Sequence, residues 1–144
     1  MNALFEISRS GMDVEWKRVE LVAQNIANLG TSAADDAGVY RPLRLLTGSR
    51  AAAGFDTLLA SGGAPALRGV EVLGVEAQAA QPRLVHEPGH PHADAAGMVR
   101  YPAVDHIGEV TTMMKAVRTY EANVAMLNAG RSMFLKALEI GNRA

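Results

Sequence analysis

The chain contains no cysteine. That removes disulfides, thiol chemistry and any zinc site built on thiolates. Aromatic residues are scarce, at 5%, so Ala, Val and Leu carry most of the apolar content. Small aliphatics bury less area per residue, which suits helical seams better than a thick globular core. An excess of basic charge is also missing, with a net charge of −1. A general nucleic-acid or anionic-membrane partner needs a basic surface, so neither is expected. No apolar run approaches the roughly 18 residues of a membrane span, so no direct membrane insertion is expected. Residues 1–22 carry Glu6, Arg9, Asp13, Glu15, Lys17, Arg18 and Glu20. No basic start followed by an apolar stretch appears there, so no cleavable secretory signal is read. The expectation is a cytosolic protein, or one exported by a route that reads another signal.

What is present begins with size and balance. The chain has 144 residues, enough for one ordinary domain, and is 49% hydrophobic and 20% charged, so it is not disordered overall. The stretch from Val104 onward organises it. Met113, Val117, Tyr120, Val124, Leu127, Phe134 and Leu138 follow steps of four and three, with one step of seven. That places them on one stripe of a helix whose repeat suits a coiled-coil seam. Asp105 is the expected N-cap, with Glu109 in the first turn and Gly141 as the stop. Such a helix is roughly 50 Å long, more than a compact domain of this size needs. Part of its stripe is therefore expected to meet something outside the chain.

A second helix is expected over residues 3–29, with Met12, Trp16, Val19, Val22, Ile26 and Leu29 on one stripe and Gly30-Thr31-Ser32 at its end. Gly11 lies near that face, where a missing side chain lets another backbone approach. The two stripes are expected to bury against each other, and then against neighbouring copies or partners. Between the helices, strands are expected at Val39–Thr47, Val70–Ala77 (with a bulge at Leu73-Gly74), Arg83–His86 and Met98–Tyr101. Residues 48–69 read as a long mobile loop or a variable insertion. The predicted fold is α+β: long terminal helices (1–30 with 104–144) packed as a coiled-coil-like pair, with a small β-rich insert (31–103) between them.

Chemistry is sparse. His86, His90, His92 and Asp94 have a spacing that can gather imidazoles around a metal. No helix or strand fixes them, and they read as loop histidines in a Pro/Gly-rich connection. Asp35 and Asp36 read as solvated turn residues, and Asp105 as a cap. No nucleophile elbow, phosphate-binding loop or dinucleotide fingerprint is present. The expectation is no enzyme, no cofactor and no metal. Four asparagines, Asn25, Asn28, Asn123 and Asn128, sit near the two seams, where a polar residue can fix register and partner number at a cost in stability.

These residues carry a resemblance. Ala23-Gln24-Asn25-Ile26-Ala27-Asn28 resembles the "S-x-N-[LI]-A-N" motif that opens flagellar rod and hook proteins. Arg118-Thr119-Tyr120-Glu121-Ala122-Asn123 resembles their closing "R-x-Y-[EQ]-A-N" motif. Tyr40-Arg41-Pro42, Glu87-Pro88-Gly89, Asp94, Gly97, Val104-Asp105 and Glu109-Val110 are similar to the proximal-rod branch of that family. The likeness covers nearly the whole chain apart from residues 48–68. His86, His90, His92 and Met98 depart from it, standing where Tyr, Asn, an apolar residue and Tyr are usual. The resemblance implies a structural subunit of the bacterial flagellar basal-body rod, in the periplasmic space, exported unprocessed through the flagellar type III apparatus. Its partners would be other rod proteins and copies of itself, its terminal helices lying in the inner layer of the tube. The assembly residues it favours are Met12, Val19, Val22, Asn25, Ile26, Asn28, Val117, Tyr120, Asn123, Val124, Leu127, Phe134 and Leu138. With their seams unsatisfied, the termini of an isolated monomer are expected to fray. The competing readings are a coiled-coil adaptor, a sibling rod subunit and a metalloenzyme using the histidine loop.

Overall fold

The computed structural model describes residues 2–50 and 68–141. Most of the expected 48–69 loop thus lies outside the described residues. The order is α1 (Asn2–Ala27), β1 (Leu43–Ser49), β2 (Val70–Ala77), β3 (Arg83–His86), β4 (Met98–Tyr101) and α2 (His106–Gly141). The fold is α+β, two helices with a small strand region between them, as the periodicities imply.

Local chemistry explains the ends of the elements. Asp105 caps α2: its Oδ1 accepts from the Ile107 amide at 3.1 Å and its carbonyl from the Glu109 amide at 2.8 Å. α1 stops two residues short of the expected Leu29. Asn28 Nδ2 turns back to the Gln24 carbonyl at 2.8 Å, and Thr31 Oγ1 donates to Asn28 Oδ1 at 3.4 Å. This local bonding competes with another helical turn.

Three strands start and end where the sequence places them. β1 does not. It begins after Pro42 and runs to Ser49, whereas Val39–Thr47 was expected. Pro42 has no N–H to give to a ladder, and Tyr40 and Leu43 are held by a helix side chain described below. β1 pairs with β2, and β3 pairs with β4, as two separate two-stranded sheets. Exposure along β2 alternates up to Val72 and slips at Leu73, which is 66% exposed.

The chain resolves into two compact units, each taking a piece of both helices. The first comprises Met1–Lys17, Leu46–Gly74 and Ala116–Ala144. Here Leu4 lies directly over Gly130, and Gly11 faces the amide of Asn123. A seven-residue step along α1 meets a seven-residue step back along α2, so these helix segments run antiparallel in coiled-coil register. Ser10 joins β2 to α1, its Oγ donating to the Ile7 carbonyl at 2.8 Å and accepting from the Val70 amide at 3.1 Å. Gly69 makes this possible, since its φ of 93° is unfavourable for L side chains and Ser10 fills the space a Cβ would need.

The second unit comprises Arg18–Leu45 and Val75–Lys115. Its core holds Leu21, Val22, Val39, Val99 and Ala33. β3 and β4 form an antiparallel hairpin with Val85 opposite Val99. Ala33 bridges to Arg100 beside it.

Candidate functional site

The polar centre of the second unit is Asn25, on the last turns of α1 and 0% exposed. Its Nδ2 donates to the Leu43 carbonyl at 3.0 Å and to Glu109 Oε2 at 3.2 Å. Its Oδ1 accepts from the Tyr40 hydroxyl and the Leu43 amide, both at 2.8 Å. One amide thus spends its whole hydrogen-bonding capacity on three other segments: the loop at Tyr40, the start of β1 and the first turn of α2.

Glu109 is buried with it, at 1% exposure. Its Oε1 stands 2.7 Å from Arg44 Nη1, an ion-pair contact whose angle falls outside that of a hydrogen bond. The buried carboxylate is thus neutralised from β1 and hydrogen-bonded from α1. Burial, and secondarily the Glu109 charge, push the Tyr40 phenol above its ordinary range. The sequence leads one to expect Asn25 in the seam, Glu109 as a first-turn acid and motif residue, and Tyr40 as part of a motif. Their link is invisible in the sequence because Tyr40 lies 15 residues, and Glu109 84 residues, from Asn25.

On α2, Glu109, Ala116, Asn123 and Gly130 recur at seven-residue spacing and face inward, with Glu109 and Ala116 at 1% exposure and Gly130 also buried. Beside them Met113, Tyr120 and Leu127 are half-buried. Apolar counting finds the second row and passes over the first, which is acidic, small, amide and glycine. α1 is displaced in the same way. Val14, Leu21, Val22 and Asn25 are buried together with Ser8 and Ser10. Trp16, placed on the stripe by its spacing, is 59% exposed. Small residues on the contact line let helix backbones approach closely, and the bulkier stripe is left to one side.

The proposed assembly residues divide accordingly. Val22 and Asn25 are buried, and Met12, Val19, Ile26, Asn28, Tyr120, Asn123, Val124 and Leu127 are half-buried. Val117, Phe134 and Leu138 are exposed, at 42%, 36% and 49%. Asn123 also bonds its own helix, Nδ2 to the Thr119 carbonyl at 3.0 Å. Met12, Tyr120 and Leu127 line an open groove of about 490 Å³ with Phe5, Arg9, Asp13 and Trp16. The Trp16 and Tyr120 rings lie 6.4 Å apart there. All residues from Arg131 to Gly141 are exposed, including Met133, Leu135 and Ile140.

The loop between β3 and β4 is built for shape. Asp94 Oδ1 accepts from the Ala96 and Met98 amides at 2.9 and 3.0 Å. These bonds, with the nearby Arg100, hold its carboxyl below its ordinary range. Gly97 takes a φ of 72°, and a Cβ there would lie 3.1 Å from both His86 and Pro88. The Tyr101 hydroxyl donates to Glu87 Oε2 at 3.0 Å, a bond that raises the phenol's pKa, with burial adding to it. Asp35 accepts from the Gly38 amide at 2.7 Å, and Asp36 pairs with Arg100 at 2.7 Å. Both are exposed turn residues, as expected; Asp36 owes its ion-pair partner to the Ala33–Arg100 bridge. Among the described residues no group of three or more His, Asp or Glu is placed to hold a metal ion.

The motif residues are therefore fold-builders: Asn25, Tyr40 and Glu109 meet in one node, and Glu87, Asp94 and Gly97 shape one loop. Comparison with known proteins bears on what that fold is for. The chain is 37% identical to the flagellar basal-body rod protein FlgC of Escherichia coli O6:H1 over 96% of both chains. It is equally similar to that of Salmonella typhimurium, at 37% over 96% of both. Against FlgC of Bacillus subtilis it is 35% identical over 94% of both. The chain belongs to the FlgC family of flagellar basal-body rod proteins. Residues 95–140 also match the family described as flagellar basal body rod FlgEFG protein C-terminal, which takes in Gly97, β4 and nearly all of α2. These relatives are named as flagellar basal-body rod proteins.

Proposed function

We propose that this chain is a structural subunit of the bacterial flagellar basal-body rod and has no catalytic role. The observation that carries the reading is the near full-length likeness to rod proteins. Within it, Asn25, Tyr40 and Glu109 act as internal braces, and the uncovered apolar residues of α2 are the assembly surface. Val117, Phe134 and Leu138 meet neighbouring subunits, which are other rod proteins and copies of this chain. Met12, Val19, Val22, Ile26, Asn28, Tyr120, Asn123, Val124 and Leu127 set packing and register.

A drive shaft must resist torque without chemistry. Interdigitated seams do this, because sliding one helix past another breaks many contacts at once. Head-to-tail contacts whose rotation does not close build a helical tube. The subunit reaches its periplasmic position through the flagellar export apparatus. A separate helical domain (1–30 with 104–144) carrying a β-rich insert (31–103) belongs to the same proposal.

Deleting the gene tests the reading, with swimming and export of hook subunits followed in parallel. Loss of swimming with no rod or hook built is expected. Normal flagella in the deletion strain would return the chain to the class of coiled-coil adaptors.

A further inference from the structure

A second closed polar cluster sits at the tip of the β3–β4 loop. The His92 amide donates to His90 Nδ1 at 3.0 Å. A backbone N–H can only donate, so Nδ1 must present its lone pair. His90 is then neutral, with its proton on Nε2. That nitrogen faces Ser32 Oγ at 3.5 Å, and Ser32 Oγ lies 2.9 Å from His92 Nδ1. The assignment that satisfies every atom runs from His90 Nε2–H to Ser32 Oγ, and from the Ser32 hydroxyl to His92 Nδ1. The two rings stand edge to face, 5.3 Å apart. The cluster ties the loop tip to the segment after α1, next to the Ala33–Arg100 bridge.

We propose that this cluster is a pH-sensitive latch, closed while His90 is neutral and opened by protonation of its Nδ1. The new N–H would point at the His92 N–H, two donors with no acceptor between them. An acceptor becomes a donor at one atom, so the bond is lost outright. The surrounding charged and titratable groups do not offset this. Tyr101 lies edge-on to His90 at 6.4 Å and gives its hydroxyl to Glu87. Arg83 sits over the Tyr101 ring at 5.6 Å. Asp94 is taken up by two amides and lies 3.6 Å from Arg100. Asp36 pairs with Arg100, and Asp35 with the Gly38 amide. His86 lies at the base of the loop against Gly97. Each carboxylate around the loop is already engaged.

The test is ¹H–¹⁵N NMR of the full chain between pH 8 and 5. The His92 and Ser32 amide signals should move together with the titration of the His90 ring. The exchange protection of the His92 amide should fall about threefold to tenfold, the loss of one hydrogen bond. In His90→Asn the side-chain Oδ1 stands where Nδ1 did and accepts at every pH, so the fall in His92 amide protection should vanish, and any signal movement that remains follows the His92 ring, whose Nδ1 bonds Ser32. A His92 amide that stays still while His90 titrates would overturn the latch, as would an unchanged response in His90→Asn. Independently of any variant, the ring nitrogens of the wild-type chain at pH 8 must report the Nε2–H form of His90; the Nδ1–H form would exclude the proposal.

Discussion

Gly11 on α1 lies directly against the amide of Asn123 on α2: a Cβ at Gly11 would stand 2.8 Å from Nδ2 and 2.9 Å from Oδ1. In an open helix, Gly→Ala stabilises by about 1 kcal/mol. Here the gain is offset, because the amide must move off its bond to Thr119. Gly11→Ala should therefore destabilise the chain by about 1 kcal/mol. In an Asn123→Ala background the same change should stabilise it by a similar amount. Urea unfolding of the wild type, the two single variants and the double variant reads the coupling directly; additive effects would show that the two residues do not meet.

Asn25→Ala should be the costliest single change in the second unit. It leaves Glu109 Oε2 short of a partner in a buried place, and the Leu43 amide and carbonyl and the Tyr40 hydroxyl short of one in a partly buried place. Unsatisfied buried groups cost about 1–3 kcal/mol apiece, less what water can repair. A loss of about 3 kcal/mol or more is expected in chemical unfolding, with Asn28→Ala costing well under half of that.

Tyr40 makes stability depend on alkaline pH. Its folded pKa is raised, so the neutral phenol is the form the fold prefers. The contribution is complete below the unfolded value near 10 and is lost as pH rises through the folded one. Glu109→Gln should lower the Tyr40 pKa without restoring the ordinary value, because burial, the larger cause, remains. Titration of the Tyr40 ring resonance measures both.

Tyr120→Ala removes a half-buried ring from the groove it shares with Trp16 and Leu127. About 3 kcal/mol of packing should go where the ring is buried in the assembly. Rod assembly should suffer more than export of the subunit. Wild-type swimming would show that the seam assignment is wrong.

Residues 131–141 should exchange their amides fast in a verified monomer, since every one is exposed and a helix without tertiary packing is marginal. Strong protection there would contradict the expected fraying.

The helices and three of the four strands were legible because periodicity and capping act locally. Asp105, Pro42 and Gly97 work within a few residues of themselves. The stripe on α2 runs beyond what the described residues of this chain cover, since Phe134 and Leu138 are exposed. The contact line was not legible. It runs through Glu109, Ala116, Asn123 and Gly130, whose common property is a fit to a close neighbour and not hydrophobicity. Nor could Leu43, Tyr40 and Glu109 be assigned to Asn25, because hydrogen bonds between distant segments leave no spacing to count. Asp36 is an exposed turn residue as expected, but its pairing with Arg100 leaves no spacing to count either.

Asn25 has a further effect on the sheet beside it. Its side-chain amide gives an N–H to the Leu43 carbonyl and takes the Leu43 N–H. It pairs with that residue as the peptide group of an adjoining strand would. The first rung of β1 is therefore already filled by a helix. A strand from another molecule finds no vacant donor or acceptor there to begin a ladder. If copies of this chain pack together as proposed, the filled Leu43 rung turns association away from strand addition at that end of β1 and toward the proposed helix surface.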